Sequence, residues 1–194
     1  MIMKPIGFTK PQVSAGGVST DTGWVFVGTG TQDGTGDKYW SNIAPYLLSN
    51  ITADDTSYAR VSNLDTAEVT SRLKGTMLGN LLVIPGAATI TGVEFVIALD
   101  PGSGDQIYAS EVKLIVGGSV TGANKAVYEI FSAPMTEYTY GGAGDMWGLT
   151  TAELTPAALN LGTFGLSFQA TEDDVGNNNI LDCDFMKVKV YYTT

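Results

Sequence analysis

Beyond Trp40 the chain alternates apolar and polar residues with a period of two. That is the period of a strand with one buried face. Residues 88–99 place Val93, Phe95, Ile97 and Leu99 on one face and Ile90, Val96 and Ala98 on the other, which predicts a strand buried on both sides at one end. Pro101, Gly102, Ser103 and Gly104 then predict a turn. Residues 111–116 turn Val112, Leu114 and Val116 inward and Glu111 and Lys113 outward, and Gly117-Gly118 ends the strand. Residues 126–131 and 137–140 read as further strands. Phe164, Leu166, Phe168 and Ala170 alternate against Gly165, Ser167 and Gln169. The last strand, 186–192, sets Met186, Val188, Val190 and Tyr192 against Lys187, Lys189 and Tyr191.

Helix signals are few. Asp65 with Glu68 three residues on has the spacing of a capping box, but β-branched Val69 and Thr70 follow at once, so no helix is assigned there. A short helical turn is expected after Thr155-Pro156. Many short strands with regular turn signals predict an all-β fold, an antiparallel β-sandwich, in which two sheets bury the inward rows.

Residues 1–39 differ from the rest. They are rich in Gly, Thr and Ser and hold one strand candidate, Trp24-Val25-Phe26-Val27. The run GTGTQDGTGD over 28–37 has the glycine content of a phosphate loop but no Gly-Lys-Ser/Thr ending, and it reads as a linker or wide turn. The expected organisation is therefore an extended N-terminal arm, 1–39, and a sandwich domain, 40–194. The start MIMKPIGFTKP has no signal-peptide apolar run, and no central stretch is long enough to span a bilayer, so synthesis in a cytosol is the expectation.

Charge narrows the partners. Ten Lys plus Arg stand against twenty Asp plus Glu, a net charge of −10. Phosphate recognition needs clustered cations, and here they are scattered, so neither nucleic acid nor an anionic membrane is expected as a partner. Only 15% of residues are charged, against about 25% in ordinary soluble domains. A surface so poor in charge suits a chain that hides part of itself in an assembly, and it equally suits a neutral Thr/Ser/Asn-covered surface.

Histidine is absent, which removes Ser-His-Asp and Cys-His catalysis and histidine metal sites. The single cysteine, Cys183, reads as a buried structural thiol. A carboxylate pair of the glycosidase kind is chemically permitted, but no spacing singles one out, and the chain is read as non-enzymatic. No cofactor is expected. The one ion candidate is the loop 171–179, where Glu172, Asp173 and Asp174 precede three asparagines. It offers oxygens for Ca2+ but lacks EF-hand spacing, and a polar turn explains it as well.

The stretch TYGGAGDMWG, 139–148, crowds four glycines against Tyr140 and Trp147. Glycine runs interrupt a regular strand, and a large ring beside Gly148 either plugs the end of a core or stands out as a platform. The plug is the preferred reading. The aromatics that offer contact to a partner are Trp24, Phe26, Tyr138, Tyr140 and Trp147.

Several short motifs follow one another along the chain. They are Trp40-Ser41-Asn42; Asp54-Asp55 with Tyr58-Ala59; L-x-I-P-x-x-A-T-I-T-G-V from Leu82 to Val93; Tyr140-Gly141-Gly142 with Met146-Trp147-Gly148; Leu159, Leu161 and Phe164-Gly165-Leu166; and a closing V-x-V-Y-Y from Val188 to Tyr192. In this order, over about 40–192, the chain resembles small β-sandwich virion proteins of tailed bacteriophages, of the capsid decoration or cement type. The resemblance implies a jelly-roll-like sandwich and a structural role in a phage particle, with the major capsid protein or other virion proteins as partners and homo-oligomers as the working form. It implies location in the virion after synthesis in the host bacterial cytoplasm. It is equally compatible with a tail- or fibre-associated module that binds host surface glycans. The acidic segment 172–174 has no counterpart that can be placed in it.

Overall fold

The computed structural model describes residues 18–41, 47–79, 81–102, 105–173 and 178–194. The first seventeen residues of the expected arm, Asn42, the turn residues Ser103 and Gly104, and 174–177 of the acidic loop lie outside the described residues. Three short strands open the described chain: β1 (Ser19–Asp21), β2 (Val25–Phe26) and β3 (Thr29–Gln32). Eight more follow: β4 (Ala59–Leu64), β5 (Leu73–Thr76), β6 (Thr89–Pro101), β7 (Ile107–Val116), β8 (Ser119–Thr121), β9 (Thr136–Gly142), β10 (Gly165–Glu172) and β11 (Asn179–Thr193).

The eight strands β4 to β11 form two antiparallel sheets in the orders β4-β11-β6-β9 and β5-β10-β7-β8. This interleaving is the jelly roll, in which every connection from β4 to β11 except the β7–β8 hairpin passes from one sheet to the other. On the first sheet β1, β2 and β4 lie end to end along one side of β11, opposite its Tyr191, Lys187 and Cys183 regions respectively. β3 adds to β5 on the second sheet. The stretch expected as an arm with one strand thus carries three in its described part. The expected linker also contains β3, because Gly30 lets that backbone run against Leu48: a Cβ there would sit 1.9 Å from the Leu48 carbonyl oxygen.

The alternation seen in the sequence is the alternation of burial. Val93, Phe95, Ile97 and Leu99 of β6 face Met186, Val188 and Val190 of β11 and, across the core, Val112, Leu114, Leu166 and Phe168 of the second sheet, all buried. Each such fully buried side chain contributes roughly 1.5–3 kcal/mol. Trp40 fills the core beside Phe168 and donates its indole N–H to the Ser71 carbonyl at 2.8 Å. The outward side of β6 is also covered: Val96 and Ala98 form a small second cluster with Phe185, bordered by Phe26 and Met135. Ile90 belongs to the main core rather than to that outer row, because the β6–β11 register shifts between Tyr191 and Tyr192.

Three local expectations change or sharpen. Asp65 and Glu68 make one of the two capping-box bonds, the Asp65 N–H donating to the Glu68 carboxylate at 2.7 Å, while the Glu68 N–H donates to the Asp65 backbone carbonyl at 3.0 Å as a turn bond. They close a turn and no helix, since Ala67 adopts φ 64° and breaks the helical path. Residues 126–131 are extended but join no ladder. They touch β7 through the Lys125 and Phe131 N–H groups, which donate to Val112 and Ile107, and through a lone bridge at Ile130. After Thr155 the expected turn is α1 (Pro156–Leu159), with Pro156 at its start and the Thr155 hydroxyl accepting the Ala158 N–H.

Candidate functional site

The stretch 139–148 joins β9 to the connection that leads into α1. Trp147 is fully buried. Its ring meets Phe95 edge-on at 6.4 Å, and its indole N–H donates to the Val93 carbonyl at 2.9 Å. The backbone around it is built to bring the ring in. Trp147 and Gly148 have φ 55° and 71°, and Gly141 has φ 83° and no room for a Cβ, which would lie 2.7 Å from the indole nitrogen. Lys125 bridges to Asp145 at 2.8 Å and stands 5.8 Å from the ring centre. Trp147 is therefore the plug of the two readings, and it presents no face to a partner.

Tyr138 and Tyr140 share the inward side of β9, so they lie near the same edge of the sandwich. Tyr140 is buried, which pushes its phenol above the ordinary range. Tyr138 packs on Phe131 at 4.7 Å and its hydroxyl oxygen accepts the Ser132 N–H. Between β9 and the extended residues 125–129 lies a slot of about 190 Å³ lined by Lys125, Val127, Glu129, both tyrosines and the backbone of Gly141. It offers one cation, one carboxylate and two phenols.

Trp24 and Phe26 lie elsewhere, on the outer face of the β11 sheet. Phe26 packs edge-on against Phe185 at 5.4 Å. Trp24 is 39% exposed, with the Lys189 ammonium 4.3 Å and the Lys187 ammonium 5.5 Å from its ring. Lys187 also pairs with Glu137 at 3.0 Å. The five aromatics thus divide into one core plug, two residues at the β9 slot and two on an aromatic-cationic outer face some strands away.

The two described carboxylates of the acidic loop have separate partners. Glu172 ends β10 with its side chain inward and accepts the Gln106 N–H at 3.3 Å, while exposed Asp173 accepts the Tyr128 hydroxyl. Asp174 lies outside the described residues. No group of three or more acidic or cysteine side chains among the described residues is placed to hold a metal.

The outer face of the β5-β10-β7 sheet is divided. One half carries an ion-pair network: Arg72 with Glu111 at 2.6 Å and Asp33 at 3.4 Å, Lys74 with Asp33 at 3.3 Å, and Lys113 with Glu111 at 3.4 Å. The other half is a groove of about 430 Å³ lined by Thr76, Leu78, Ile115 and Leu161, with Thr31 and with Lys74 of the ion-pair network also in its lining. Ile115 is 2% exposed although it lies outside the main core. Sequence reading did not single out this groove. Its signal was present in the paired apolar residues Leu114 and Ile115, which give β7 an apolar residue on both faces.

No family model matches the sequence, and no curated protein is similar to it at a significant level.

Proposed function

We propose that this chain is a non-enzymatic structural protein of a tailed-phage virion, a capsid decoration protein that binds and stabilises the coat-protein shell. The observation that carries this reading is the structural work of the residues that make up the ordered motifs. Trp40, Ile84, Val93, Tyr140, Trp147, Leu159, Phe164, Leu166, Val188 and Tyr192 are all buried in one jelly-roll core. The motifs therefore describe a scaffold and leave the surface to contact others. Jelly rolls recur in viral shell and lectin domains, although a fold alone does not define a function. The test is co-sedimentation with shells lacking the protein. Stoichiometric, saturable retention is expected, with an increase in the shells' melting temperature. Shells that neither retain the protein nor gain stability would overturn the proposal.

A second reading, a tail- or fibre-associated module that binds host surface glycans, has its own support in the β9 slot and in Trp24. A partly exposed indole beside two ammonium groups and a slot with two phenols are both suited to sugar hydroxyls and ring faces. Retention on host envelopes instead of shells, lost in Trp24→Ala or Glu129→Ala with an unchanged fold, favours that reading.

A further inference from the structure

The charges of this chain are segregated by topology. Residues 75–93, 114–124 and 154–171 contain no Asp, Glu, Lys or Arg. These are 19, 11 and 18 residues, 48 in all, in a chain of 194 with 30 charged residues. Two further runs, 22–32 and 39–53, are uncharged as well, outside these three. The three runs are far apart in sequence, but the jelly roll gathers them. Gly165 at the start of β10 pairs with Thr76 at the end of β5 and Ile115 near the end of β7. The β5–β6, β7–β8 and β9–β10 connections therefore leave from one end of the sandwich. The opposite connections carry Asp65, Glu68, Arg72, Asp105, Glu129 and Asp173.

That neutral end is also apolar and shaped. Leu78, Leu81, Val83 and Leu161 are 52–86% exposed. Leu78 and Leu161 line one groove, and Leu81 and Val83 belong to the same β5–β6 connection as Leu78, on a firm base. Asn160 holds Ile84 at both backbone groups, at 3.0 and 2.9 Å, and Gly162 lies against Leu78, where a Cβ would come within 3.2 Å of its Cα. The four side chains expose roughly 400 Å², the scale of the largest patch on an ordinary monomer. That is about half of the ~800 Å² each partner supplies to a stable interface. Beside the ridge runs the groove that Ile115 lines.

We infer that this end is a self-association face that seats a second copy of the chain across a two-fold axis. A two-fold contact is self-complementary, so a single surface must supply both the protrusion and the recess. Here the Leu78–Leu161 ridge and the groove adjoin. Two molecules of charge −10 repel, and the neutral end is where they can approach with least acidic charge between them. The acids of the β9–β10 connection are already engaged: Asp145 by Lys125, and Glu153, which borders the β7–β8 turn, by the Thr150 N–H and hydroxyl. The inference stands apart from the virion reading, since a dimer is compatible with either proposed role.

The test is analytical ultracentrifugation of the full chain over a range of concentrations and salt. A species of twice the 20.4 kDa chain mass is expected, and it should strengthen with salt as repulsion is screened. Val83→Lys and Leu161→Glu change exposed side chains and should leave the thermal melt unchanged. Each should weaken dimerisation on the order of a hundredfold, as expected when a charge is desolvated without a partner. Glu129→Lys at the opposite end should leave the dimer intact. A chain that stays monomeric, a larger closed oligomer, or a dimer indifferent to both variants would overturn the inference. None of these outcomes bears on whether shells retain the protein.

Discussion

Trp147→Ala distinguishes a core plug from a binding platform by a quantity that differs several-fold between them. The ring is fully buried, meets Phe95 edge-on, and satisfies the Val93 carbonyl. Truncating a buried Trp to Ala costs about 3–5 kcal/mol through lost transfer energy and the cavity left behind. The upper end applies here, because Gly141 and Gly148 add no side chain that could collapse into the space and the Val93 carbonyl is left without its donor. Against a total stability of about 5–15 kcal/mol, that is a third or more. At about 2–4 °C per kcal/mol for a domain of this size, the melting midpoint should fall by roughly 10 °C or more. Trp147→Phe keeps most of the ring but not the hydrogen bond, and should cost about 1–3 kcal/mol. Urea titration followed by far-ultraviolet circular dichroism measures both. A platform residue would lose ligand binding and almost no stability. A Trp147→Ala midpoint within about 2 °C of the parent would therefore refute the plug and the account of the glycine-rich stretch built on it.

Three further outcomes are expected. Burial first, and then the charges of Asp54 and Asp55, push the Asp184 carboxyl up to about 6 from 3.8. The folded state then holds more protons than the unfolded state between those values, so stability should fall as pH rises from about 4 to about 6 and level off above it. Asp184→Asn should remove that part of the slope, and a parent-minus-variant stability difference that is constant from pH 4 to 7 would count against it. Cys183 is fully buried, its thiol raised well above the ordinary range by burial and then by Asp184 and Asp182; a thiol reagent at neutral pH should label it only in denaturant, and rapid labelling of the folded chain would contradict its position. Asp182 sits opposite Arg60 in the β4–β11 ladder and takes the guanidinium with both oxygens at 2.6 and 2.5 Å. Asp182→Ala should cost about 2–4 kcal/mol in the same urea assay, and a cost under about 0.5 kcal/mol would show that solvent replaces the pair.

Strands with strict alternation were legible: β6, β7, β10 and β11 follow directly from the spacing of Val93 to Leu99, Val112 to Leu114, Phe164 to Ala170 and Met186 to Tyr192. Strands without an apolar row were not. β1 has the sequence Ser-Thr-Asp and is exposed throughout, and β3 has Thr-Gly-Thr-Gln. Their pairing is determined by backbone bonds to β11 and β5, which leave no mark on side-chain periodicity. Residues 126–131 show the opposite error. Ala126 and Phe131 have strand-like composition, but Asn124 bonds the Val112 N–H through its side chain and holds the segment off the ladder. Asp65 and Glu68 show that capping chemistry can close an isolated turn when a positive φ follows.

The surfaces were harder to read than the fold, and for a physical reason. Alternation assigns a residue to one side of a strand, but it does not say whether water or another element covers that side. Val96, Ala98 and Phe185 point away from the main core and are nonetheless buried, and of the two readings of Trp147 the ring's burial selects the plug over the contact. The neutral end was present in the sequence as three uncharged runs separated by 20 and 29 residues. Each is unremarkable alone, because a run of about 11–19 uncharged residues is also what a pair of buried strands and their turn would give. The runs acquire meaning only from the strand orders β4-β11-β6-β9 and β5-β10-β7-β8, which bring alternate connections to a common end. Topology thus turns a compositional accident of separate segments into one apolar face, and in a chain of charge −10 that face is where a like-charged copy is repelled least.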